Sequence, residues 1–409
     1  MNFLTTDTAK AFTGKHVLVR VDWNVPYMDG KMLDATRLIN TRETLHLLQA
    51  NGAKIVVLAH YGRPTLAKNE RKAGNNTPDL FVMEGAFSFK PLLADMQAAL
   101  SLDLSYVENP LTSAGSEHIN AMQNGDIALC ENIRFFGGEE TNDAVFAAKL
   151  AALADFYVNE AFSCSHRAHA SIEAIAHLLP SYAGLGLARE ISYLKNAFES
   201  PKRPLWVIVA GSKVSTKIDL LLNLSKKVDG LIIAGAMANT FFKAQGIGAG
   251  QSLVEDDYIE TAREILKNAT AEIVFPCDRL AVEKLSFTEK MNVISVDYDQ
   301  LPETYSVFDI GEKSRRLFIE KLQNAKTIIW NGPVGMFEND AFTGGSFAIA
   351  HALGHLTEKG VLTLAGGGDT LATLTKAGCL DKLSYCSTAG GAFLEYLEGK
   401  SLPGIEALV

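Results

Sequence analysis

The sequence predicts an α/β fold of two lobes, each a parallel sheet flanked by helices. Three observations carry that prediction. Apolar runs of about four to six residues, rich in Val and Ile and without polar alternation, recur along the chain, and strands of this kind are buried on both faces. Helix-length segments separate the runs, which implies right-handed βαβ units and parallel pairing. The runs number about four or five in each half, so two sheets are expected rather than one of about ten strands. A length of 409 residues agrees, being enough for two to three domains with a core apiece.

In chain order, 16–21 (HVLVRV), 54–59 (KIVVLA), 127–130 (IALC) and 156–158 (FYV) are the first-half strands. Residues 65–89, rich in Asn, Gly and Lys with weak periodicity, read as a mobile loop. In 183–200, Leu187, Ile191, Leu194 and Phe198 recur at spacings of 4, 3 and 4, one apolar stripe of a helix. Pro201 and Pro204 end that helix and restart the chain as a strand. We read 183–200 as a hinge helix joining domains at 1–182 and 201–392; a crossover helix inside one large sheet has the same spacing. The second-half strands are 205–210 (LWVIVA), 231–234 (LIIA), 273–275 (IVF), 327–330 (TIIW) and 361–364 (VLTL). No repeat of fixed short period is present.

Composition narrows the function classes. The 38 Lys+Arg against 47 Asp+Glu give a net charge of -9. No basic block stands out, which argues against a nucleic-acid partner needing a continuous cationic footprint. Cys130, Cys164, Cys277, Cys379 and Cys386 are scattered without a CxxC. They read as reduced thiols in a cytoplasmic protein rather than as disulfides or a zinc site. The first residues, MNFLTTD, lack a basic stretch followed by an apolar one, and no run approaches the ~20 apolar residues that cross a bilayer. Neither a secretory signal nor a membrane partner is expected.

Ligands of open α/β sheets bind beyond the carboxyl ends of the strands, where helix N-termini and loop amides point. In the first half these places share one chemistry. Asp22, Asn24 and Arg37 follow the first strand, His60 and Arg63 the second, Arg134 the third, and His166, Arg167 and His169 the fourth. Residues 1–185 nevertheless hold 15 Lys+Arg against 20 Asp+Glu, a net of -5. Cations gathered at one rim of an acidic lobe make an anion pocket, and the planar Arg fork suits a small phosphorylated acid.

The second half has glycines where the first has arginines. Gly211-Ser212-Lys213-Val214-Ser215-Thr216-Lys217 follows a strand, and the spacing predicts Lys213 and Lys217 one helical turn apart on one face. Gly235, between Ala234 and Ala236, lets a flat ring approach the backbone. Asn331, Gly332, Pro333 and Glu338 end another strand. Gly366-Gly367-Gly368-Asp369-Thr370 ends the last and opens a helix, offering bare amides and a positive dipole to phosphate. Asp369 is placed to hold Mg2+ there. Together these favour a nucleotide site. Gly399-Lys400-Ser401 resembles the end of a Walker A loop, but position 394 is Leu and no strand precedes it. No GxGxxG occurs. His166 and His169 could hold a metal, but Arg167 between them would repel one, so anion-binding or structural histidines fit better.

At this point the residues carry a resemblance. The segments 20–26 (RVDWNVP), 60–64 (HYGRP), 131–135 (ENIRF), 166–171 (HRAHAS), 213–218 (KVSTKI), 237–241 (MANTF), 330–333 (WNGP) and 366–370 (GGGDT) resemble phosphoglycerate kinase, colinearly over essentially the whole chain. The resemblance implies Rossmann-like lobes that close on each other and a monomer. It also implies phosphoryl transfer between 1,3-bisphosphoglycerate and MgADP, giving 3-phosphoglycerate and MgATP. It places Asp22, Asn24, Arg37, His60, Arg63, Arg134 and Arg167 on the acid phosphate. Lys213, Lys217, Asn331, Glu338, Asp369 and Thr370 fall on the nucleotide, with Glu338 at the ribose and Asp369 on Mg2+. Arg37 and Lys213 would flank the transferring group, with Lys217 on the nucleotide phosphates. Residues 393–409 are implied to return to the first lobe. Departures from the family pattern are Trp23 for Phe, Ser163-Cys164-Ser165 for Gly-Thr-Ala, Ala210-Gly211-Ser212 for Gly-Gly-Ala, and Ala234, Ala236 and Ala389 for glycines.

Overall fold

The computed structural model describes residues 1–28, 30–72, 74 and 77–409. The Val- and Ile-rich runs form strands with almost no exposed residue: His16–Arg20 is buried from Val17 on, and Leu205–Ala210 throughout. Such strands have no face to offer water, so they take the middle of parallel sheets covered by helices. The first sheet has the order Ser105–Val107, Ile127–Cys130, Lys54–Leu58, His16–Arg20, Phe156–Asn159, Ser181–Ala183. Every neighbouring pair is parallel, with His16 opposite Lys54 and Val17 opposite Phe156. The second has the order Glu272–Val274, Gly230–Ala234, Leu205–Ala210, Thr327–Asn331, Leu362–Gly366, Tyr385–Ser387, again all parallel. An antiparallel sheet of Ile294–Asp297, Asp278–Val282 and Ser306–Ile310 follows Val274 in the chain.

The chain divides into two compact units, Met1–Ile191 with Ser401–Val409, and Ser192–Lys400. Each has its own core. Trp23, Leu45, Val57 and Leu129 belong to the first, and Ile208, Phe318, Trp330 and Leu353 to the second. The division falls inside a helix, Leu185–Leu194, that runs on through wider π-type turns at Lys195–Glu199. Its stripe is real: Leu187, Ile191 and Leu194 are buried and Phe198 is half-buried. The buried Glu160 caps its first turn, accepting from the Gly186 amide at 2.7 Å and from Thr44 Oγ1 at 3.0 Å. No helix among the described residues is long and apolar enough to cross a membrane.

Two expectations are corrected. Residues 65–89 are not one loop, since Leu66–Lys72 is helical and Gly85–Phe87 makes a 3-10 turn. The Glu84 carboxylate caps that helix through the Thr65 and Leu66 amides, and Arg71 Nη1 donates to Gly137 O at 3.0 Å. Residues 73, 75 and 76 of this stretch lie outside the described residues. At the other end, only Ser401–Val409 joins the first unit, where Asn159 Nδ2 donates to Gly404 O at 3.1 Å. The helix Gly391–Leu397 stays with the second, because Phe393 is fully buried there against Gly366 and Asn223 Nδ2 holds Leu397 O at 2.6 Å.

Candidate functional site

Each unit gathers its polar residues at the carboxyl ends of its parallel strands. In the first unit, Asp22 lies just past the strand His16–Arg20 and is 8% exposed. It binds Arg37 Nη1 at 2.6 Å and accepts the Ser163 hydroxyl. The backbone turn after Lys54–Leu58 is held from both sides. The Gly62 amide donates to Asn24 Oδ1 at 2.9 Å, and Arg134 Nη1 donates to Gly62 O at 2.8 Å. His60 sits at the centre, its Nδ1 3.3 Å from Arg20 Nη2 and 3.9 Å from both Asp22 Oδ1 and Cys164 Sγ. Burial holds the His60 imidazole neutral well below its ordinary pKa, and the charges of Arg20, Arg134, Arg37 and Arg167 add to the effect. His169, also buried, is pushed down to about 4 by burial and then by Arg134 and Arg20. A histidine that stays neutral among guanidinium groups marks a region of positive potential, which is what an anionic ligand requires.

Six of the seven predicted residues of this half are thus joined by contact or by field. Arg167 is exposed and donates from Nε to His166 Nε2 at 3.0 Å. Arg63, the seventh, is exposed at the same strand end. Strand-end reasoning passed over Arg20 and Ser163. Arg20 is 1% exposed inside a strand and donates from Nε to Ser171 Oγ at 2.8 Å, and Ser171 in turn is bonded to the buried Glu139. A lone Arg within an apolar strand run was its signal. Asp22, His60 and Cys164 form the one group of three potential metal ligands close together among the described residues. The four guanidinium groups acting on His60 oppose a cation there.

In the second unit a cavity of about 380 Å³ opens at the strand ends. Gly211, Ser212, Gly235, Pro333, Glu338 and Asp369, all predicted, line it. Gly235 has φ +71°, and a Cβ there would lie 2.6 Å from the Gly211 backbone. Gly332 has φ +93°, and a Cβ would lie 1.9 Å from Ala210 O. No other residue fits either position without moving a strand end.

Lys217, Asn331, Gly366 and Thr370 form a bonded network across three strand ends. Lys217 Nζ donates to Asn331 Oδ1 at 2.6 Å and to Ala210 O, and Asn331 Nδ2 donates to Gly366 O at 2.7 Å. Thr370 Oγ1 donates to Gly366 O at 2.9 Å and accepts the Gly332 amide at 2.8 Å. Burial pushes the Lys217 ammonium down to about 8, against the attraction of Asp369. Gly367, with φ +101°, caps the helix Gly368–Lys376, and Gly368 and Asp369 are exposed in its first turn.

One prediction here fails. Lys213 and Lys217 do not share a helical face, because the helix begins only at Ile218. Val214 is buried and Glu255 binds the Ser215 amide and hydroxyl, which fixes 213–217 as a turn. Lys217 therefore turns in to the strand ends while Lys213 is exposed.

The family model described as phosphoglycerate kinase matches residues 6–400. The phosphoglycerate kinase of Methylobacterium radiotolerans is 43% identical over 410 residues, covering 99% of this chain and 98% of its own. That of Rhodospirillum centenum is 44% identical over 412 residues, covering all of both chains. Among solved structures, phosphoglycerate kinase from Coxiella burnetii superposes with a TM-score of 0.86 at 36% identity, covering 97% of this chain and 96% of its own.

Proposed function

The chain belongs to the phosphoglycerate kinase family and transfers phosphoryl groups between 1,3-bisphosphoglycerate and ADP, and we propose that its two strand-end clusters hold those two substrates separately. One observation supports this division above the rest: the first unit surrounds a neutral His60 with guanidinium groups, whereas the second offers a glycine-lined cavity with one half-buried lysine beside it.

In this reading Asp22, Asn24, Arg37, His60, Arg63, Arg134 and Arg167 bind the three-carbon acid phosphate. Asp22 and Ser163 fix the Arg37 fork, since a guanidinium already held at one nitrogen loses less freedom on binding. Gly211, Ser212, Gly235, Pro333 and Glu338 receive the nucleoside, and Lys217 with the amides of Gly366, Gly367 and Gly368 receives its phosphates. Asn331 and Thr370 hold those strand ends in register. The bond from the acyl oxygen to phosphorus breaks as one from an ADP phosphate oxygen to phosphorus forms. ADP is already an anion and the leaving group is a carboxylate, so no general base is needed. Catalysis is then positioning and charge neutralisation, with Arg37 and Lys213 beside the transferring group. The reacting oxygens must come within ~3–3.5 Å, so the reading includes closure of the units about 183–200, which also excludes water.

Asp369 suits Mg2+, being an exposed carboxylate on the cavity wall with no hydrogen bond of its own among the described residues. When bound, the ion neutralises phosphate charge. The same reading makes the enzyme a cytoplasmic monomer. The test is ADP formation from MgATP on adding 3-phosphoglycerate, with the acyl phosphate drawn off by a coupled dehydrogenase. Turnover that needs both the acid and Mg2+ is the expected result. Lys213→Ala should lower turnover by orders of magnitude with an unchanged circular-dichroism spectrum, and near-normal turnover would remove Lys213 from the transferring group.

A further inference from the structure

The turn that presents Lys213 is held from outside by one carboxylate. Lys213 is exposed, and among the described residues its ammonium makes no hydrogen bond or salt bridge. Its aim is therefore set by the backbone of 213–217 and by nothing at its tip. Within that turn Thr216 Oγ1 donates to Lys213 O at 3.0 Å, and the Lys217 amide donates to Val214 O at 2.8 Å. Upstream, the turn joins its strand through Gly211 at φ +142°, and glycine restrains the backbone less than any other residue. The outside contact is Glu255. Its Oε2 accepts the Ser215 amide at 3.0 Å and its Oε1 the Ser215 hydroxyl at 2.6 Å.

Glu255 can set the turn because it is itself fixed. Its own amide donates to Thr240 Oγ1 at 3.1 Å, and two residues earlier Leu253 O accepts from Asn239 Nδ2 at 3.4 Å. Asn239 and Thr240 are both buried on the helix Met237–Ala244. Ser252 Oγ accepts the Val307 amide at 3.0 Å, which ties the same segment to the antiparallel sheet. Burial pushes the Glu255 carboxyl up, but the Ser215 hydroxyl and amide, the Val214 amide and the charge of Lys213 outweigh it and hold the group below its ordinary range. At neutral pH it is an anion with both oxygens engaged. A Gln in its place could still accept from the amide and donate to the hydroxyl, whereas an Ala could do neither.

We propose that Glu255 is a positioning residue of the phosphoryl-transfer step, holding the 213–217 turn so that Lys213 meets the transferring group. This rests on the reading that puts Lys213 beside that group and says what keeps it there.

The experiment measures kcat and KM in Glu255→Ala, Glu255→Gln, Lys213→Ala and the double variant of Glu255→Ala with Lys213→Ala. Glu255→Ala should lower kcat at least about fivefold, the worth of one hydrogen bond of about 1 kcal/mol, and up to about 100-fold if Lys213 is misplaced by about 1 Å. KM for 3-phosphoglycerate should not change, and Glu255→Gln should recover most of the loss. In the Lys213→Ala background, Glu255→Ala should cost nothing more, since residues that act as one unit do not add. Full additivity, or a normal kcat in Glu255→Ala beside a slow Lys213→Ala, overturns the proposal alone. Near-normal turnover of Lys213→Ala overturns the placement of Lys213 and the proposal with it. If Glu255→Ala does not fold, Ser215→Ala, which removes the hydroxyl half of the contact, decides by the same comparisons. Hydrogen exchange reads the hold without turnover: the Ser215 amide should exchange at least about fivefold faster in Glu255→Ala, and equal rates overturn the proposal.

Discussion

On the proposed nucleotide reading, Lys217 couples charge to binding. Its ammonium is bonded to Asn331 and Ala210 and pushed down to about 8 by burial. Near pH 8 the free enzyme has lost about half of that proton, and nucleotide phosphates raise the pKa again on binding. MgADP should therefore bind with proton uptake, and its Kd should rise as pH climbs above 8. Lys217→Arg keeps the charge and should flatten that rise, as calorimetry in buffers of different ionisation enthalpy would show. Ser163 acts through Asp22, to which it donates beside Arg37. Ser163→Ala should raise KM for 3-phosphoglycerate about fivefold, the worth of one hydrogen bond of about 1 kcal/mol. An unchanged KM would leave Arg37 held by Asp22 alone. Residues just past an apolar strand were readable in the sequence because that position is functional in open sheets. Arg20, whose one signal was an Arg inside an apolar run, and Arg279 lie within strands, where an Arg becomes meaningful only once its buried surroundings are known.

The helix Leu185–Leu194 is capped by a carboxylate that is itself buried. Burial pushes Glu160 up to about 7, against the Gly186 and Leu187 amides, Thr44 and the charge of Arg189. Gly184 and Gly186 leave the room it occupies, since a Cβ at either would strike its oxygens. The folded state thus holds this proton more tightly than the unfolded chain, where Glu titrates near ~4.3. Its contribution to stability is full below about pH 4.3 and is lost as pH rises through 7. Wild type should lose urea resistance relative to Glu160→Gln between pH 5 and about 7.5; parallel curves would show that the pair of amides keeps the carboxylate charged. The hydrophobic stripe announced this helix, and its cap was silent. Three of the four edge strands of the parallel sheets were equally silent: Ser105–Val107, Ser181–Ala183 and Tyr385–Ser387 are three residues each. They form because a finished neighbour presents an unpaired edge, not because their own residues favour extension.

Across the whole molecule, each unit has a private core and a private reporter. Trp23 is fully buried in the first, with Nε1 donating to Thr41 at 3.0 Å, and Trp206 and Trp330 are buried in the second. A chain with Trp206 and Trp330 replaced by Phe should report the first unit in guanidinium, and one with Trp23 replaced should report the second. MgADP at about 100 times its Kd adds about 2.7 kcal/mol to whatever binds it. It should move the second midpoint more than the first; equal movement would mean the units unfold as one. The amino-acid pattern alone established the α/β class and the two parallel sheets, because burial on both faces and strand-helix alternation are properties of local sequence. It could not establish that Lys213 and Lys217 part company, that the chain returns to the first unit only at Ser401, or that Arg279 lines the cavity of the second unit. Each of those depends on which distant side chain fills a given space, as Glu255 does for Ser215 and Phe393 for Gly366, and such packing is specified only when the elements have met.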